Sequence, residues 1–107
     1  MKLTNQEIVI RLNSIIAFIN KETESGKALL SAKGEYAVIC NKDILLNAYR
    51  PYEETVKKIT GDEEGIKDLL SKEVEIADFE KITKEDFKDG ITSEMIMLIG
   101  FMCDGLS

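Results

Sequence analysis

The feature that most restricts the fold is an apolar stripe in the middle of the chain. Val38, Leu45, Tyr49, Tyr52, Val56 and Ile59 are separated by 7, 4, 3, 4 and 3 residues, a heptad-like spacing that gathers them on one face of a helix. The firm part of this pattern begins near Glu35 and runs straight through Pro51. A proline in a helix interior removes one backbone donor and crowds the carbonyl four residues back, at a cost of about 3 kcal/mol. Two readings are open: one long helix kinked at Pro51, or a helix ending near Tyr49 and a second with Pro51 in its first turn. The unbroken stripe favours the kinked helix.

Upstream, Thr4-Asn5-Gln6-Glu7 is a capping box, in which the Thr4 hydroxyl accepts from the Glu7 amide and the Glu7 carboxylate accepts from the Thr4 amide. Leu3 and Ile8 occupy the staple positions. Ile8, Leu12, Ile15 and Ile19 then predict a helix to about Lys21, with Val9, Ile16 and Phe18 widening its apolar arc. The polar, aperiodic run Lys21–Lys27 reads as a loop.

Downstream, Gly61 is placed to end the central helix, and Asp62-Glu63-Glu64 sets three carboxylates at the start of a short helix through about Ser71. Lys72–Ile76 alternates polar and apolar, as a short half-buried strand does. Its partner is either Met1–Leu3 or the stretch Phe79–Ile82. Thr83-Lys84-Glu85-Asp86 resembles a brief helix start ended by Gly90, and a last, very apolar helix opens at Thr92 or Ser93 and runs through Cys103. The fold class is therefore mainly α, with at most one or two short strands: a single small helical domain over 1–107, built on a long central helix that Pro51 kinks in the preferred reading.

In that last helix Met95, Leu98, Ile99 and Met102 form one stripe, while Ile96, Met97 and Phe101 fall largely outside it. These three are candidate interface residues, through which the chain would self-associate or meet a partner, with Gly100 letting another backbone approach. The alternative is a helix sandwiched so fully that no apolar surface is left over.

Apolar residues make up 44% of the 107 residues and charged residues 32%, enough core and too little bias for disorder. The net charge of −6 is concentrated, since residues 53–90 hold 13 Asp/Glu against 7 Lys/Arg and the remainder holds 7 against 7. A chain without a basic face is not expected to neutralise phosphates, so no direct nucleic-acid partner is expected. Asp62, Glu63, Glu64, Glu73 and Glu75 make a candidate acidic surface. No segment has the apolar length of a membrane span or the pattern of a signal peptide, so no membrane partner is expected.

Catalytic apparatus is not legible. There is no His, the glycines match no phosphate-binding loop, and two widely separated cysteines, Cys40 and Cys103, offer neither a zinc site nor a recognisable nucleophile. No catalytic residue, metal ligand or cofactor is assigned. A Cys40–Cys103 disulfide is compatible with the sequence, but buried free thiols in a reducing cytosol are the preferred reading.

Met1–Val9 with Leu12-Asn13, then Tyr36, Asn41, Leu45 and Arg50-Pro51-Tyr52-Glu53-Glu54, then Leu69-Leu70 with Glu73-Val74-Glu75-Ile76, resemble a small family of uncharacterised siphophage and prophage proteins. The resemblance implies a long helix through the Pro51 segment, then an acidic strand, then a C-terminal helix, here opened by Ile91-Thr92-Ser93-Glu94-Met95. It carries over no catalytic residues. The Thr23–Lys33 connection is longer, and Ile96–Cys103 more apolar, than the family pattern.

The expected function is thus non-enzymatic: protein–protein interaction in a host cytoplasm during virion assembly, with a phage structural protein or host factor as partner. One alternative is an acidic host-takeover or anti-defence inhibitor that occupies a nucleic-acid-binding groove. A third, less favoured, is a carboxylate enzyme using magnesium.

Overall fold

The Thr4 box forms as read. In the computed structural model, which describes residues 1–105, the Glu7 amide donates to Thr4 Oγ1 at 3.1 Å and the Thr4 amide donates to Glu7 Oε1 at 3.0 Å. Helix α1 (Asn5–Ser25) starts there and buries Ile8, Leu12, Ile15 and Phe18, whereas Ile10 and Ile16 stay exposed, so the arc is narrower than expected. The helix also runs past the expected boundary at Lys21. Local bonds carry it across the polar stretch: Thr23 Oγ1 donates to the Ile19 carbonyl and Ser25 Oγ to the Glu22 carbonyl. Gly26, at φ 76°, then closes it in the left-handed conformation that a side chain would resist.

Helix α2 (Ala32–Lys58) is continuous through Pro51, in agreement with the single-helix reading. Ser31 caps it, its Oγ accepting the Gly34 amide at 3.1 Å. The stripe reaches unequal depths. Val38 and Leu45 are buried, but Tyr49, Tyr52, Val56 and Ile59 are only half-buried because the molecule, 47 × 28 × 21 Å, leaves that end of the helix with few neighbours.

Helix α3 (Glu63–Leu70) is capped by Asp62, whose Oδ1 accepts the Gly65 amide at 2.9 Å. Strand β2 (Glu73–Glu75) follows and pairs antiparallel with β1 (Lys2–Thr4), in the register Lys2↔Glu75, Leu3↔Val74, Thr4↔Glu73. Of the two partners open to it in the sequence, the strand takes the N-terminal one.

From Ile76 to Gly90 the chain is irregular but firmly tied. Asn41 of α2, fully buried, donates from Nδ2 to the Glu80 carbonyl at 2.9 Å and accepts the Glu80 amide at Oδ1 at 2.8 Å. After the 3₁₀ turn Lys84–Asp86, buried Asp86 accepts the Ser31 hydroxyl at 2.7 Å and the Thr83 amide at 2.9 Å. Those two bonds hold its carboxyl below the usual range. The turn lies so close to α2 that a Cβ on Gly34 would meet Leu30 at 2.9 Å and Asp86 at 3.2 Å, which accounts for the glycine.

The C-terminal helix is shorter than expected. Helix α4 (Ser93–Leu98), capped by Thr92, gives way to a 3₁₀ turn at Gly100–Met102 instead of running to Cys103. The cause is tertiary: the Ile82 amide donates to the Met102 carbonyl at 3.0 Å and the Asp104 amide to the Ile82 carbonyl at 2.8 Å, so the chain must extend there. One core unites the elements, drawing on residues from Leu3 to Met102. The class is mainly α with a two-stranded sheet.

Candidate protein-interaction groove

The seam between α2 and β2 is open. A cleft of about 430 Å³ has Ile44, Asn47, Ala48 and Pro51 on its helical wall and residues 74–77 on the other. A second recess, about 280 Å³, continues it toward α3, sharing Ala48, Pro51 and Val74 and adding Tyr52, Leu69 and Lys72. Together they make a groove whose walls are mostly apolar. The side chains explain why it stays open: Ala48 and Ala77 are small, and the Pro51 ring is short. Pro51 also has no N–H, so the Asn47 carbonyl on the helical wall has no amide four residues on to accept from.

Two of the candidate acidic residues, Glu73 and Glu75, flank this groove, exposed on the outer face of β2. The other three, Asp62, Glu63 and Glu64, are exposed at the start of α3, where Asp62 is engaged as the cap and the charges suit the helix dipole. The acidic set is therefore split between the groove rim and a helix end.

The three candidate interface residues do not behave alike. Met97 is 80% exposed and Ile96 is half-buried. Phe101, expected to point away from the core stripe, instead packs edge-on against Phe79 at 5.2 Å between centroids, with the Arg11 guanidinium 5.2 Å from its ring centre. The position reserved for another backbone at Gly100 faces open space among the described residues.

A second cluster lies where α1 meets α2. Glu22 Oε2 accepts the Leu29 amide at 2.9 Å, and Glu35 sits beside it with Oε1 buried and unpartnered. Burial first, then the Glu22 carboxylate, pushes the Glu35 carboxyl up to about 7. A proton held on Glu35 supplies the donor that two carboxylates lack, so the pair acts as a clasp between the helix ends.

Cys40 and Cys103 are both free and half-buried, less enclosed than expected, and Cys103 lies outside any helix. Burial, followed by the charges of Asp104 and Asp86, pushes the Cys103 thiol up to about 11, away from the reactive thiolate. Among the described residues no three His, Cys, Asp or Glu side chains are grouped to hold a metal ion, and no helix is long and apolar enough to cross a membrane.

Apart from Glu75, no groove-lining residue is a candidate site residue in the sequence. The available signal was the lone alternating segment 72–76: a strand paired on one side only must present its other edge somewhere. No protein-family model matches the chain, no curated protein matches its sequence, and no solved structure matches its fold.

Proposed function

We propose that the chain is a non-enzymatic interaction protein that binds a protein partner in the groove between α2 and β2. The observation that carries this reading is the groove itself, its walls mostly apolar and its rim carrying exposed carboxylates at Glu73 and Glu75. Apolar walls favour desolvation of an incoming side chain, and the charged rim selects among partners and speeds encounter. The resemblance to siphophage and prophage proteins supports a setting in a host cytoplasm, with a phage structural protein as the partner.

The test is a comparative affinity purification from an infected or induced host. Asn47 and Ala77 line the cleft with exposed side chains, so the double variant Asn47→Trp/Ala77→Trp fills it without touching the core. The expected result is at least one stoichiometric protein retained by the wild-type chain and lost by the variant, with circular dichroism unchanged. Identical sets from the two chains would overturn the reading.

A further inference from the structure

We propose that the groove is filled by strand addition: an extended segment of the partner, alternating basic and apolar residues, pairs with the outer edge of β2 as a third strand. This rests on the groove reading above and specifies its partner.

The register fixes which backbone groups are free. Residues 1/76 and 5/72 are hydrogen-bonded pairs, since the Ile76 amide donates to the Met1 carbonyl at 2.8 Å and the Asn5 amide to the Lys72 carbonyl at 3.0 Å. Antiparallel pairs alternate, so Leu3/Val74 is also a bonded pair, while Glu73 and Glu75 turn their N–H and C=O groups away from β1. Among the described residues no backbone group meets them there, because the sheet ends at β2. The opposite edge is partly occupied, as the Thr4 amide of β1 is held by Glu7.

The alternation of side chains sets the partner's chemistry. On an added strand, every second residue would point into the cleft against Ile44, Ala48, Pro51 and Val74. The residues between would stand on the outer face beside Glu73 and Glu75, whose neighbours on β1 are Thr4 and Lys2. Opposite charges side by side on adjacent strands are favourable, so those positions call for Lys or Arg. A second copy of this chain is disfavoured by the same rule, because β2 against β2 would set glutamates against glutamates. This is recognition of an extended peptide by a sheet edge: backbone bonds supply affinity and alternate side chains supply specificity.

The probe is the acetylated, amidated peptide Lys-Val-Lys-Val-Lys-Val-Lys, titrated into the full chain while amide hydrogen exchange is followed by NMR. With peptide at about ten times its dissociation constant, exchange from the free state slows about tenfold at the newly paired amides. The expected result is slowing at Glu73 and Glu75 and none at Val74, which already faces β1. The same peptide N-methylated on its lysines, the residues whose N–H groups would face Glu73 and Glu75, should give no protection. Glu73→Lys/Glu75→Lys should transfer the preference to a Glu-Val peptide of the same length. Equal protection of all three amides, equal effects of the methylated or acidic peptide on the wild-type chain, or a dimer in sedimentation that Glu73→Lys/Glu75→Lys alters would each overturn strand addition. If the peptide fails while Asn47→Trp/Ala77→Trp still strips a partner, strand addition falls and the groove reading stands; if the purification also shows no difference, both fall.

Discussion

Replacing Asn41 tests the account of how the irregular segment is held. The side chain is fully buried on α2 and binds both backbone groups of Glu80, at 2.9 and 2.8 Å, with Nδ2 also 3.2 Å from the Met102 sulfur. Asn41→Ala removes two amide-type hydrogen bonds, each with a net worth of about 1 kcal/mol. It also leaves a part-buried N–H and C=O to find water or go unpaired, adding about 1–3 kcal/mol if they stay dry. The expected loss is therefore about 2–5 kcal/mol in urea unfolding, the lower end if water reaches the freed groups and the upper end if they stay dry, read by linear extrapolation with an unchanged slope. Asn41→Asp sharpens the test, because it keeps the acceptor for the Glu80 amide but points a second oxygen at the Glu80 carbonyl. Its ionised form is disfavoured by burial and by that carbonyl, so its folded pKa is raised and the variant should recover part of its deficit as pH falls. A loss below about 0.5 kcal/mol in Asn41→Ala, the range of ordinary surface changes, would refute the reasoning.

The Glu22–Glu35 clasp makes stability depend on pH. With its carboxyl raised from 4.5 to about 7, Glu35 holds a proton in the folded chain that the unfolded chain releases; its stabilising contribution is thus fully present below pH 4.5 and is lost as pH rises through about 7. Melting temperature should fall between pH 5.5 and 8, and Glu35→Gln should flatten that slope; an unchanged slope in the variant would assign it to other groups. Met97 and Phe101 are expected to separate in a stability assay, because one is exposed and the other packed on Phe79 and Arg11. Met97→Glu should change unfolding free energy by under about 0.5 kcal/mol, whereas Phe101→Ala should lose about 2–3 kcal/mol, short of the full-burial cost of such a change because its ring is half-exposed; equal effects would contradict the packing described.

Features encoded within one or two helical turns were legible in the sequence. The Thr4 box, the helix through Pro51, the helix start at Asp62-Glu63-Glu64 and the alternation at 72–76 all report local geometry, and the structure has each of them. The misreadings share a cause as well. Lys21–Ser25 looks like a loop by composition, yet hydroxyl-to-carbonyl bonds and the hold of Glu22 on the Leu29 amide keep it helical. The run after Leu98 looks like continuing helix, yet the chain turns 3₁₀ at Gly100–Met102 and is extended at Cys103, where it pairs with Ile82. Phe101 looks free, yet its partners Phe79 and Arg11 are distant in sequence. Apolar periodicity carries no record of such long-range contacts. The groove is not legible in the sequence for a related reason: it is made by small side chains on two separate elements, and small side chains leave no periodic mark.

The distribution of polar ties bears on where a partner would dock. The segment from Phe79 to Asp104 is tied to the helices by the Asn41 clip, the Asp86 clamp and Arg11 over Phe101, and to itself by the Ile82 pairing and the edge-on contact of Phe79 with Phe101. An incoming protein would have to displace those bonds or settle on isolated apolar residues such as Met97. The α2–β2 seam is different. β2 is joined to β1 on one side, and Asn5 anchors the start of the ribbon through the Leu69 and Lys72 carbonyls at 2.9 and 3.0 Å. Along its other side the strand faces a cleft and backbone groups that nothing among the described residues engages. A partner there gains hydrogen bonds and buries apolar wall without breaking an existing contact, so the energetic balance favours the seam over the C-terminal helix, although the latter has the more apolar sequence.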